Sequence, residues 1–343
     1  MVSQKRKSNV LFIWQVRDEL QEYLKHGLAD IQVKLIFPKE AREEIYLKYA
    51  PKADIIVGWR PNMELLAKAI KLKLFINPGA GIQHLLELFS DIQKKRNVVL
   101  VNGHGNSYFT AQHIVGMVLI LMNKIILHHN WMCEGKWRLG DADAKSIPLR
   151  DKRIGLLGYG NVNKKVHSFL APFDVSFSIL RKHWEKDKNY KYPTSYQKYE
   201  LPQLHNFLKD IDILIAAIPL TKETEGLIGK KELSLLGKNG ILVSAGRGAV
   251  IDEESLYNAL KNRLITASAI DVWYNYKPEP NKDGKNFPSK YPFYDLDNVL
   301  LSPHRAASPF DDLRRWNEVI ENITRFVTGD AIFLNEVNID EGY

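Results

Sequence analysis

A glycine-rich turn at residues 158–160 constrains the fold of this chain more than any other feature. Ile154–Leu157 predict a short buried strand, and the apolar residues after the turn recur at helical spacing: Val162, Val166, Phe169 and Leu170. A turn of this kind between a strand and a helix gathers backbone N–H groups and the positive helix end at one point. That point suits a pyrophosphate, so the stretch predicts a βα unit that binds a dinucleotide.

The fingerprint of such a unit has three glycines, and here Asn163 replaces the third. The first two glycines provide the tight turn and the close approach of the ligand, whereas the third lets the helix pack closely on the strand. We therefore expect slightly looser packing at Asn163. Taken alone, the motif leaves an ordinary βα turn as the alternative.

Length and composition indicate a soluble protein of two domains. The chain has 343 residues, of which 45% are hydrophobic and 26% charged, and a net charge of +8 that fits a small anionic ligand. Its single cysteine, Cys133, cannot form an intramolecular disulfide, which favours a reducing, cytoplasmic location. The apolar stretch Ile114–Met122 is too short to span a bilayer, and no grouping of Cys or His indicates a metal site.

The first hundred residues alternate short apolar runs with helical patterns. This alternation predicts a parallel sheet with helices on both faces, an α/β fold. The predicted strands are Val10–Trp14, Val33–Phe37, Ile55–Val57, Leu74–Ile76 and Val98–Val101, and the predicted helices start near Arg17, Glu40, Asn62 and Ile82.

One long helix is predicted over Ser107–His129, with Asn106 or Ser107 as its N-cap. Its middle is so apolar that we expect it to be buried between domains or in a subunit interface. His113 on this helix is interpreted as a packed core histidine rather than a ligand.

A second strand and helix series begins at Arg153. Its later strands are predicted at Val175–Leu180, Ile211–Ile218, Ile241–Val243, Thr266–Asp271 and Val299–Leu301. The polar stretch 184–203 is rich in Tyr and Lys. Such a mixture occurs in nucleic-acid sites, but we interpret it as a surface loop and expect neither nucleic acid nor a membrane as partner. The chain ends soon after a predicted helix at Leu313–Val327, so we expect no added regulatory domain.

Polar or glycine-rich segments follow several of these strands. They are the glycine turn at 158–160, Pro219, Arg247 between two glycines, Asp271 and His304. The carboxyl ends of parallel strands meet at one sheet edge, where ligands bind in doubly wound folds. An arginine in such a place is suited to a carboxylate because its planar guanidinium donates two parallel hydrogen bonds. Asn77-Pro-Gly-Ala-Gly81, after a strand of the first series, is either a ligand loop or a plain turn.

These segments resemble the D-isomer-specific 2-hydroxyacid dehydrogenase family over most of the chain. The most specific similarity runs from Asp212 to Ser255 and holds Ile218-Pro-Leu-Thr, Thr224-Glu-Gly-Leu-Ile-Gly, Ile241-Leu-Val-Ser-Ala-Gly-Arg-Gly and Asp252-Glu-Glu-Ser-Leu. Asp271-Val-Trp and Ser302-Pro-His follow in the family's order and separation. Asn106-Ser-Tyr-Phe-Thr-Ala-Gln-His is similar to the start of the family's long helix.

The resemblance implies two doubly wound parallel-sheet domains. A flavodoxin-like catalytic domain would comprise residues 1–103 and 305–343, and a Rossmann-type NAD(P)-binding domain would comprise residues 104–304. The two would close around a cleft. The resemblance also implies a homodimer formed through the helix region 107–129.

The resemblance further implies roles for single residues. Arg247 would hold the substrate carboxylate and the 2-oxo oxygen, and His304 would be the acid/base. Substrate would also contact Ala80, Gly81 and Asn106. Asp271 would orient the nicotinamide amide, and the rest of the cofactor site would comprise Gly158, Tyr159, Gly160, Asn161, Val162, Ile218, Pro219, Thr224, Ala245, Gly246 and Ala306.

One position departs from the family pattern. The glutamate that pairs with the catalytic histidine in the family aligns with Tyr276, and Glu279 lies three residues further on. Either a lengthened loop brings Glu279 beside His304 or the acid/base pair is altered. We favour the altered pair.

The second strand of the cofactor series ends on Arg181-Lys182-His183, where NAD-using members have a carboxylate for the adenosine ribose. The loss of that carboxylate and the two cations predict a preference for NADP(H) over NAD(H). The alternative is that both side chains point to solvent.

The sequence thus predicts an NAD(P)-dependent oxidoreductase that transfers a hydride between the cofactor and a small 2-oxo acid or D-2-hydroxy acid. A non-catalytic NAD(P)-sensing or corepressor-like protein on the same fold is the alternative. A methyltransferase on a similar fold is disfavoured by Arg247 and His304.

Overall fold

The computed structural model describes residues 7–138, 145–185, 190–307, 312–330 and 332–343. The chain divides into two compact units, residues 1–106 with 309–343 and residues 107–308. The predicted domain boundaries at 103 and 304 lie three and four residues from these divisions. The catalytic and cofactor roles assigned to the two domains remain proposals.

The first unit is built on a five-stranded sheet in the order β2-β1-β3-β4-β5, with every pair parallel. Its strands are β1 Ser8–Phe12, β2 Val33–Ile36, β3 Ile55–Val57, β4 Leu74–Asn77 and β5 Val99–Asn102. Its helices are α1 Asp18–Gly27, α2 Glu43–Tyr49, α3 Met63–Lys68, α4 Leu86–Gln93 and, near the C-terminus, Asn317–Thr328. Short 3₁₀ turns lie at Ala50–Lys52, Gln83–Leu85 and Leu313–Trp316.

Apolar side chains cover both faces of this sheet, as its continuous apolar strands require. Ile55–Val57 and Leu74–Ile76 are almost completely buried, and helices pack on each face. Strands β3 and β4 therefore present only their ends to solvent, whereas the edge strand β2 exposes Lys34. The loops after the carboxyl ends are left for ligands.

The second unit is built on a seven-stranded parallel sheet in the order β12-β11-β10-β9-β6-β7-β8. Its strands are β6 Arg153–Leu157, β7 Ser176–Leu180, β8 Tyr196–Tyr199, β9 Ile213–Ala216, β10 Ile241–Ser244, β11 Ala267–Ile270 and β12 Val299–Leu301. Its helices are α5 Ser107–Met122, α6 Ile125–Cys133, α7 Asn161–Leu170, α8 Leu204–Lys209, α9 Lys230–Leu236 and α10 Glu253–Lys261. The C-terminal helix of the first unit is α11. Short 3₁₀ turns lie at Ala171–Phe173, Leu201–Gln203, Gly248–Val250 and Phe293–Asp295.

The strand order reverses between β6 and β9, because the chain runs from β6 outward to β8 and then returns to β6's other side. Such a switch point separates the loops that follow the two strands and leaves a crevice at their carboxyl ends. The predicted fold class, α/β with doubly wound parallel sheets, is confirmed.

The prediction of a single helix over Ser107–His129 is wrong. Helix α5 ends at Met122, α6 begins at Ile125, and the two meet at a 61° bend. The Asn123 side chain donates to the Leu119 carbonyl at 2.9 Å, and Lys124 has a left-handed backbone with φ 51°. Both features end a helix. In the described part of the chain no single helix is long and apolar enough to cross a membrane, although this bent pair reaches that length together.

The prediction of a surface loop over 184–203 is also wrong in part. Residues Tyr196–Tyr199 form β8, the edge strand that pairs with β7. The tyrosines of this stretch pack together, since Tyr192 lies 5.3 Å from Tyr159 and 4.3 Å from Tyr196 between ring centroids. The lysines between the aromatic residues hid this pattern. Lys186 and Lys188 lie outside the described residues.

A buried histidine, His167 on α7, joins this aromatic layer to the glycine-turn helix. Its Nδ1 lies 2.7 Å from the Tyr159 hydroxyl and its Nε2 2.8 Å from the Thr194 hydroxyl, and the residue has no exposed surface. Burial lowers the pKa of His167 to about 4. The folded protein therefore holds His167 neutral at pH 5, whereas the unfolded chain, with a histidine pKa of about 6.5, is mostly protonated there.

We expect the free energy of unfolding to fall as pH falls from about 6.5 to about 4, because only the unfolded state takes up this proton. The full effect amounts to roughly 3 kcal/mol for a difference of this size between the two pKa values. His167→Phe should flatten this part of the pH dependence, measured as urea unfolding at pH 7 and pH 4.5. His26→Gln, at an exposed site of the first unit, is the matched control. An unchanged slope in His167→Phe would contradict the assignment.

Candidate active site

The glycine turn forms a cradle at the start of α7. Gly158 has φ +81°, and a Cβ there would lie 2.3 Å from Cγ2 of Ile218. Gly160 precedes the helix in an extended conformation, and no atom lies within 4 Å of where its Cβ would be. No side chain in the described residues caps this helix start. The first N–H groups of α7 therefore face open space.

Asn163 acts within this turn. It is fully buried, and its Nδ2 donates to the carbonyls of Leu157 at 3.1 Å and Gly158 at 2.8 Å. These two hydrogen bonds fasten the helix to the end of β6. The sequence predicted only looser packing here, but the side chain fills the space and fixes the turn by hydrogen bonding.

The other proposed cofactor-contacting residues lie on neighbouring loops of the same unit. The Thr224 hydroxyl closes the loop after β9 by donating to the Pro219 carbonyl at 2.8 Å. A Cβ at Gly246 would lie 2.5 Å from the Ile218 carbonyl oxygen, so the loops after β9 and β10 touch. The Tyr159 side chain is buried against His167, which leaves its backbone at the turn. These residues fit a dinucleotide: a cradle open at Gly160, an uncapped helix start and close-packed flanking loops.

The cations after β7 have partners. The Lys182 Nζ lies 2.8 Å from the Glu223 carboxylate on the β9 loop, and the Arg181 guanidinium lies over the Trp184 ring at 5.6 Å. Glu223 is 41 residues from Lys182, so the sequence alone does not reveal their pairing. Its carboxylate lies beside one of the two cations on which the predicted NADP(H) preference depends.

Arg247 follows β10 in an extended backbone conformation and is half-buried. Its Nη1 donates to the Gly246 carbonyl at 2.7 Å, and no carboxylate in the described residues forms an ion pair with it. A Cβ at the next residue, Gly248, would lie 2.3 Å from the Trp273 carbonyl oxygen, so the backbone after Arg247 is fixed against the β11 loop. The guanidinium keeps donors for an anionic ligand.

The buried carboxylate of Asp271 organises the loop that carries His304. It accepts from the Ser302 hydroxyl at 2.5 Å and from the N–H groups of Arg305 at 2.7 Å and Ala306 at 3.2 Å. His304 between them is exposed and has a left-handed backbone, φ 55°, which costs on the order of 1 kcal/mol. The Asp271 hydrogen bonds offset that cost and fix where the imidazole is presented.

His113 extends this network, contrary to its interpretation as a packing residue. It is half-buried, and its Nε2 lies 2.9 Å from the Ser302 hydroxyl and 3.7 Å from the Asp271 carboxylate. Because the Ser302 proton is donated to Asp271, the hydroxyl oxygen must accept from His113, which places a proton on Nε2.

Tyr276 is the neighbour of His304. The two rings meet edge to face with centroids 5.2 Å apart, and the Tyr276 hydroxyl accepts from the Trp273 N–H at 3.3 Å. Glu279 is exposed and forms no hydrogen bond or ion pair with His304 in the described residues. Among the described residues, the group beside His304 is therefore an aromatic ring and not the Glu279 carboxylate.

In the first unit, the loop after β4 is fixed by buried side chains. The Asn77 Nδ2 donates to the carbonyls of Gly79 at 2.5 Å and Gly81 at 3.1 Å, and the Asn102 Nδ2 donates to the Ala80 carbonyl at 2.9 Å. Two buried carboxamides thus hold three successive carbonyl groups on one side of the loop. The backbone N–H groups of the same peptide units therefore point to the opposite side. Asn106, directly before α5, is half-buried and its Oδ1 has no hydrogen-bond partner in the described residues.

The comparisons with known proteins identify the family. Residues 115–306, more than half of the chain, match the family model of the D-isomer specific 2-hydroxyacid dehydrogenase, NAD binding domain. The chain therefore belongs to the D-isomer-specific 2-hydroxyacid dehydrogenase family, as its sequence predicts.

Curated relatives are similar at low identity. The chain is 28% identical over 87% of its length to the D-3-phosphoglycerate dehydrogenase of Archaeoglobus fulgidus, but it spans only 53% of that protein. The corresponding enzyme of Methanocaldococcus jannaschii is covered over 59%. The glyoxylate/hydroxypyruvate reductase HPR3 of Arabidopsis thaliana is 27% identical, with 84% of each chain covered.

Solved structures share the fold. A D-isomer specific 2-hydroxyacid dehydrogenase from Xanthobacter autotrophicus, in complex with NADPH and MES, superimposes with a TM-score of 0.76, 23% identity and 98% and 100% of the two chains covered. An NADPH-dependent glyoxylate/hydroxypyruvate reductase from Sinorhizobium meliloti, in complex with NADP and sulfate, gives a TM-score of 0.76, 21% identity and the same coverage.

Two glycines allow the cradle to be tested with a matched pair of substitutions. Gly160→Ala should leave thermal stability within about 0.5 kcal/mol of the wild type, because its methyl group meets open space, yet weaken NAD(P)H binding by occupying that space. Gly248→Ala should destabilise the protein by about 1–3 kcal/mol, because its methyl group meets backbone. Thermal unfolding and NADPH fluorescence titration measure the two effects. Undiminished binding by Gly160→Ala would exclude the cradle as the cofactor site.

Proposed function

We propose that the protein is an NAD(P)H-dependent reductase of 2-oxo acids that forms D-2-hydroxy acids. The observation that carries the proposal is Arg247, half-buried after β10 with no carboxylate partner among the described residues, in the same unit as a histidine loop fastened by Asp271. The names of the relatives, glyoxylate/hydroxypyruvate reductase and D-3-phosphoglycerate dehydrogenase, support the same reaction class.

The residues divide the chemistry between them. The bound dinucleotide supplies the hydride for the carbonyl carbon. Arg247 binds the carboxylate and polarises the 2-oxo oxygen, as hydrogen-bond donors fixed in advance do in carbonyl chemistry. The amides of Ala80 and Gly81 bind the carboxylate, with Asn106 as a further contact, and the His304 imidazole gives its proton to the oxygen.

The dinucleotide lies in the cradle at Gly158, Gly160, Asn161 and Val162 in this proposal. The Pro219–Thr224 loop and Ala245–Gly246 line the adjoining surface. Asp271 positions the His304 loop, with Ala306 as one of its hydrogen-bond donors. Its carboxylate already accepts three hydrogen bonds, so a nicotinamide amide would share it with these donors.

A non-catalytic NAD(P) sensor is the second candidate, and one observation favours it. Tyr276 occupies the place of the carboxylate that supports the acid/base histidine in the family. Arg247 opposes this reading, because a sensor of the dinucleotide alone needs no guanidinium at the strand end without a carboxylate partner among the described residues.

Turnover of 2-oxo acids with NADPH and NADH tests the proposal directly. Arg247→Ala should lower kcat/KM by about ten- to hundredfold, because a charge-assisted carboxylate hydrogen bond contributes about 1.5–3 kcal/mol. Arg247→Lys should recover only part of the loss, since lysine cannot donate two parallel hydrogen bonds. If no 2-oxo acid among glyoxylate, hydroxypyruvate, pyruvate and larger analogues is reduced while NADPH still binds, the sensor takes precedence.

NADP(H) is the proposed cofactor, with Arg181 and Lys182 as the groups near the 2′-phosphate. The NADPH and NADP complexes of the two solved structures support this preference. The Lys182–Glu223 ion pair opposes part of it, since Glu223 brings negative charge to the same place.

We therefore expect Arg181→Ala to reduce the ratio of NADPH to NADH affinity, and Glu223→Gln to increase it. The first should lose about tenfold or more of NADPH affinity, and the second should act in the opposite direction because a repulsive charge is removed. Both dissociation constants are measured at one ionic strength, because salt screens phosphate contacts. Lys231→Ala, at an exposed site on α9 of the same unit, is the control. If Arg181→Ala leaves the ratio of NADPH to NADH affinity unchanged, the Arg181 side chain makes no contact with the 2′-phosphate.

The aromatic neighbour of His304, Tyr276, should affect how the rate of reduction depends on pH. A carboxylate beside a histidine favours the protonated ring that reduction requires. Tyr276→Glu should therefore extend the reductive rate to higher pH than the wild type shows, by about one pH unit or more. Glu279→Gln should change the profile little. A large loss in Glu279→Gln would instead place that carboxylate beside His304 during turnover.

A homodimer is proposed through the α5 and α6 region. Helix α6 has no buried residue, although Ile125, Ile126, Leu127 and Met132 are all apolar and exposed, and Trp137 beyond it is 74% exposed. Exposed apolar patches of this kind mark protein interfaces. A cytoplasmic location is proposed as well, from Cys133 as the single cysteine.

A further inference from the structure

Three tryptophans form a cluster at the carboxyl edge of the first unit's sheet. Trp14 follows β1, Trp59 follows β3 and Trp316 lies in the 3₁₀ turn Leu313–Trp316. Their ring centroids are 4.9 Å apart for Trp14 and Trp59, 5.5 Å for Trp14 and Trp316, and 6.0 Å for Trp59 and Trp316. Phe12 supports the cluster from below at 5.5 Å from Trp14.

The tryptophan cluster adjoins the loop at residues 79–81. Strands β1, β3 and β4 are consecutive in the sheet and about 4.8 Å apart, so their following loops are neighbours. The contact is direct at Trp59, whose indole Nε1 lies 3.2 Å from the position of a Cβ on Gly79. The edge of the Trp59 indole therefore lies against the loop at residues 79–81, whose carbonyls accept from Asn77 and Asn102.

The cluster is rigid but incompletely covered. Trp316 is buried, whereas Trp14 and Trp59 are only half-buried. Ring contacts fix both indoles, and the Trp59 carbonyl accepts from the His84 ring at 2.5 Å. Such indoles offer apolar area to a ligand at little loss of conformational entropy.

We propose that the substrate is a 2-oxo acid with a large apolar side chain, branched or aromatic, and that Trp14 and Trp59 bind that side chain. This inference rests on the proposed reduction of 2-oxo acids and on the loop at 79–81 as a carboxylate site. With the carboxylate on the loop amides, the side chain begins only two carbon atoms away and extends over the indoles. Glyoxylate, which has no side chain, gains nothing from them.

A phosphorylated or dicarboxylic substrate is the competing class, because Arg60 follows Trp59 directly. Arg60 is exposed, however, and a cation held in water contributes little. Two half-covered indoles in ring contact with a third are a larger and better-fixed surface than one solvated guanidinium. The apolar class is therefore favoured.

Comparison of kcat/KM across a series of 2-oxo acids tests the inference on the wild-type protein. The series comprises glyoxylate, pyruvate, hydroxypyruvate, 3-phosphohydroxypyruvate, 4-methyl-2-oxopentanoate and phenylpyruvate. We expect phenylpyruvate and 4-methyl-2-oxopentanoate to exceed pyruvate by about tenfold or more, since a single methylene in an apolar site changes discrimination by about ten- to two-hundredfold. A preference for 3-phosphohydroxypyruvate that Arg60→Ala removes would overturn the inference in favour of the anionic class.

Substitutions at Trp59 test whether this residue causes the preference for large apolar substrates. Trp59→Ala should lower kcat/KM for phenylpyruvate by about tenfold or more relative to pyruvate, and Trp59→Phe should keep most of the wild-type ratio. Ile70→Ala, at an apolar residue of the same unit that is 70% exposed, should leave the ratio unchanged. An unchanged ratio in folded Trp59→Ala would overturn the inference, with folding judged by thermal unfolding. The wild-type series stays informative if that variant does not fold.

The two proposals fail in different ways. If no 2-oxo acid is reduced, the proposed function fails. If glyoxylate or hydroxypyruvate is reduced with a higher kcat/KM than phenylpyruvate, the reductase stands and only the apolar substrate class is overturned.

Discussion

The parallel alignment of the strands is the constraint on which the rest of the structure depends. In each unit all strands run the same way, so every loop after a strand emerges at one sheet edge. In the second unit this edge gathers the glycine turn, the β9 loop, Arg247 and the Asp271–His304 network. In the first unit it gathers the loop at residues 79–81 and the tryptophan cluster. Within each unit, the common strand direction therefore brings together loops that are far apart in the sequence.

Buried polar side chains then fix those loops. Asn163 holds the glycine turn, Asn77 and Asn102 hold the loop after β4, and Asp271 holds the loop around His304. Each is buried and donates to or accepts from backbone, which offsets much of the cost of burying a polar group. The Oδ1 atoms of Asn77 and Asn163 are buried without a partner among the described residues. Loops would otherwise be the most mobile parts of the fold. These four residues thereby fix the loops that follow the strand ends in each unit.

The sequence predicted the elements whose signals are local. Apolar runs of β-forming residues located strands such as Ile55–Val57, and glycine or proline marked their ends. The helix break at Asn123-Lys124 was missed because apolar composition continues on both sides of it. β8 was missed because Gln197 and Lys198 separate its two tyrosines. The packing of Tyr196 on Tyr192, and of Tyr192 on Tyr159, is a tertiary effect.

The candidate site shows the same division between local and tertiary signals. Arg247 and His304 stand out because their flanking residues are distinctive. The partnership of Lys182 with Glu223, 41 residues apart, and that of His113 with Ser302, 189 residues apart, are set by the folded chain alone. Spacing in sequence carries no information about such pairs, so both contacts became apparent only in the structure.

Transfer of deuterium from labelled cofactor to product tests the central claim most directly. The protein is given NADPH with deuterium at both C4 positions of the nicotinamide, together with a 2-oxo acid, and the product is analysed by mass spectrometry and chiral chromatography. The account predicts a D-2-hydroxy acid that carries one deuterium at C2. A product without deuterium at C2, or no product while the cofactor still binds, would contradict it.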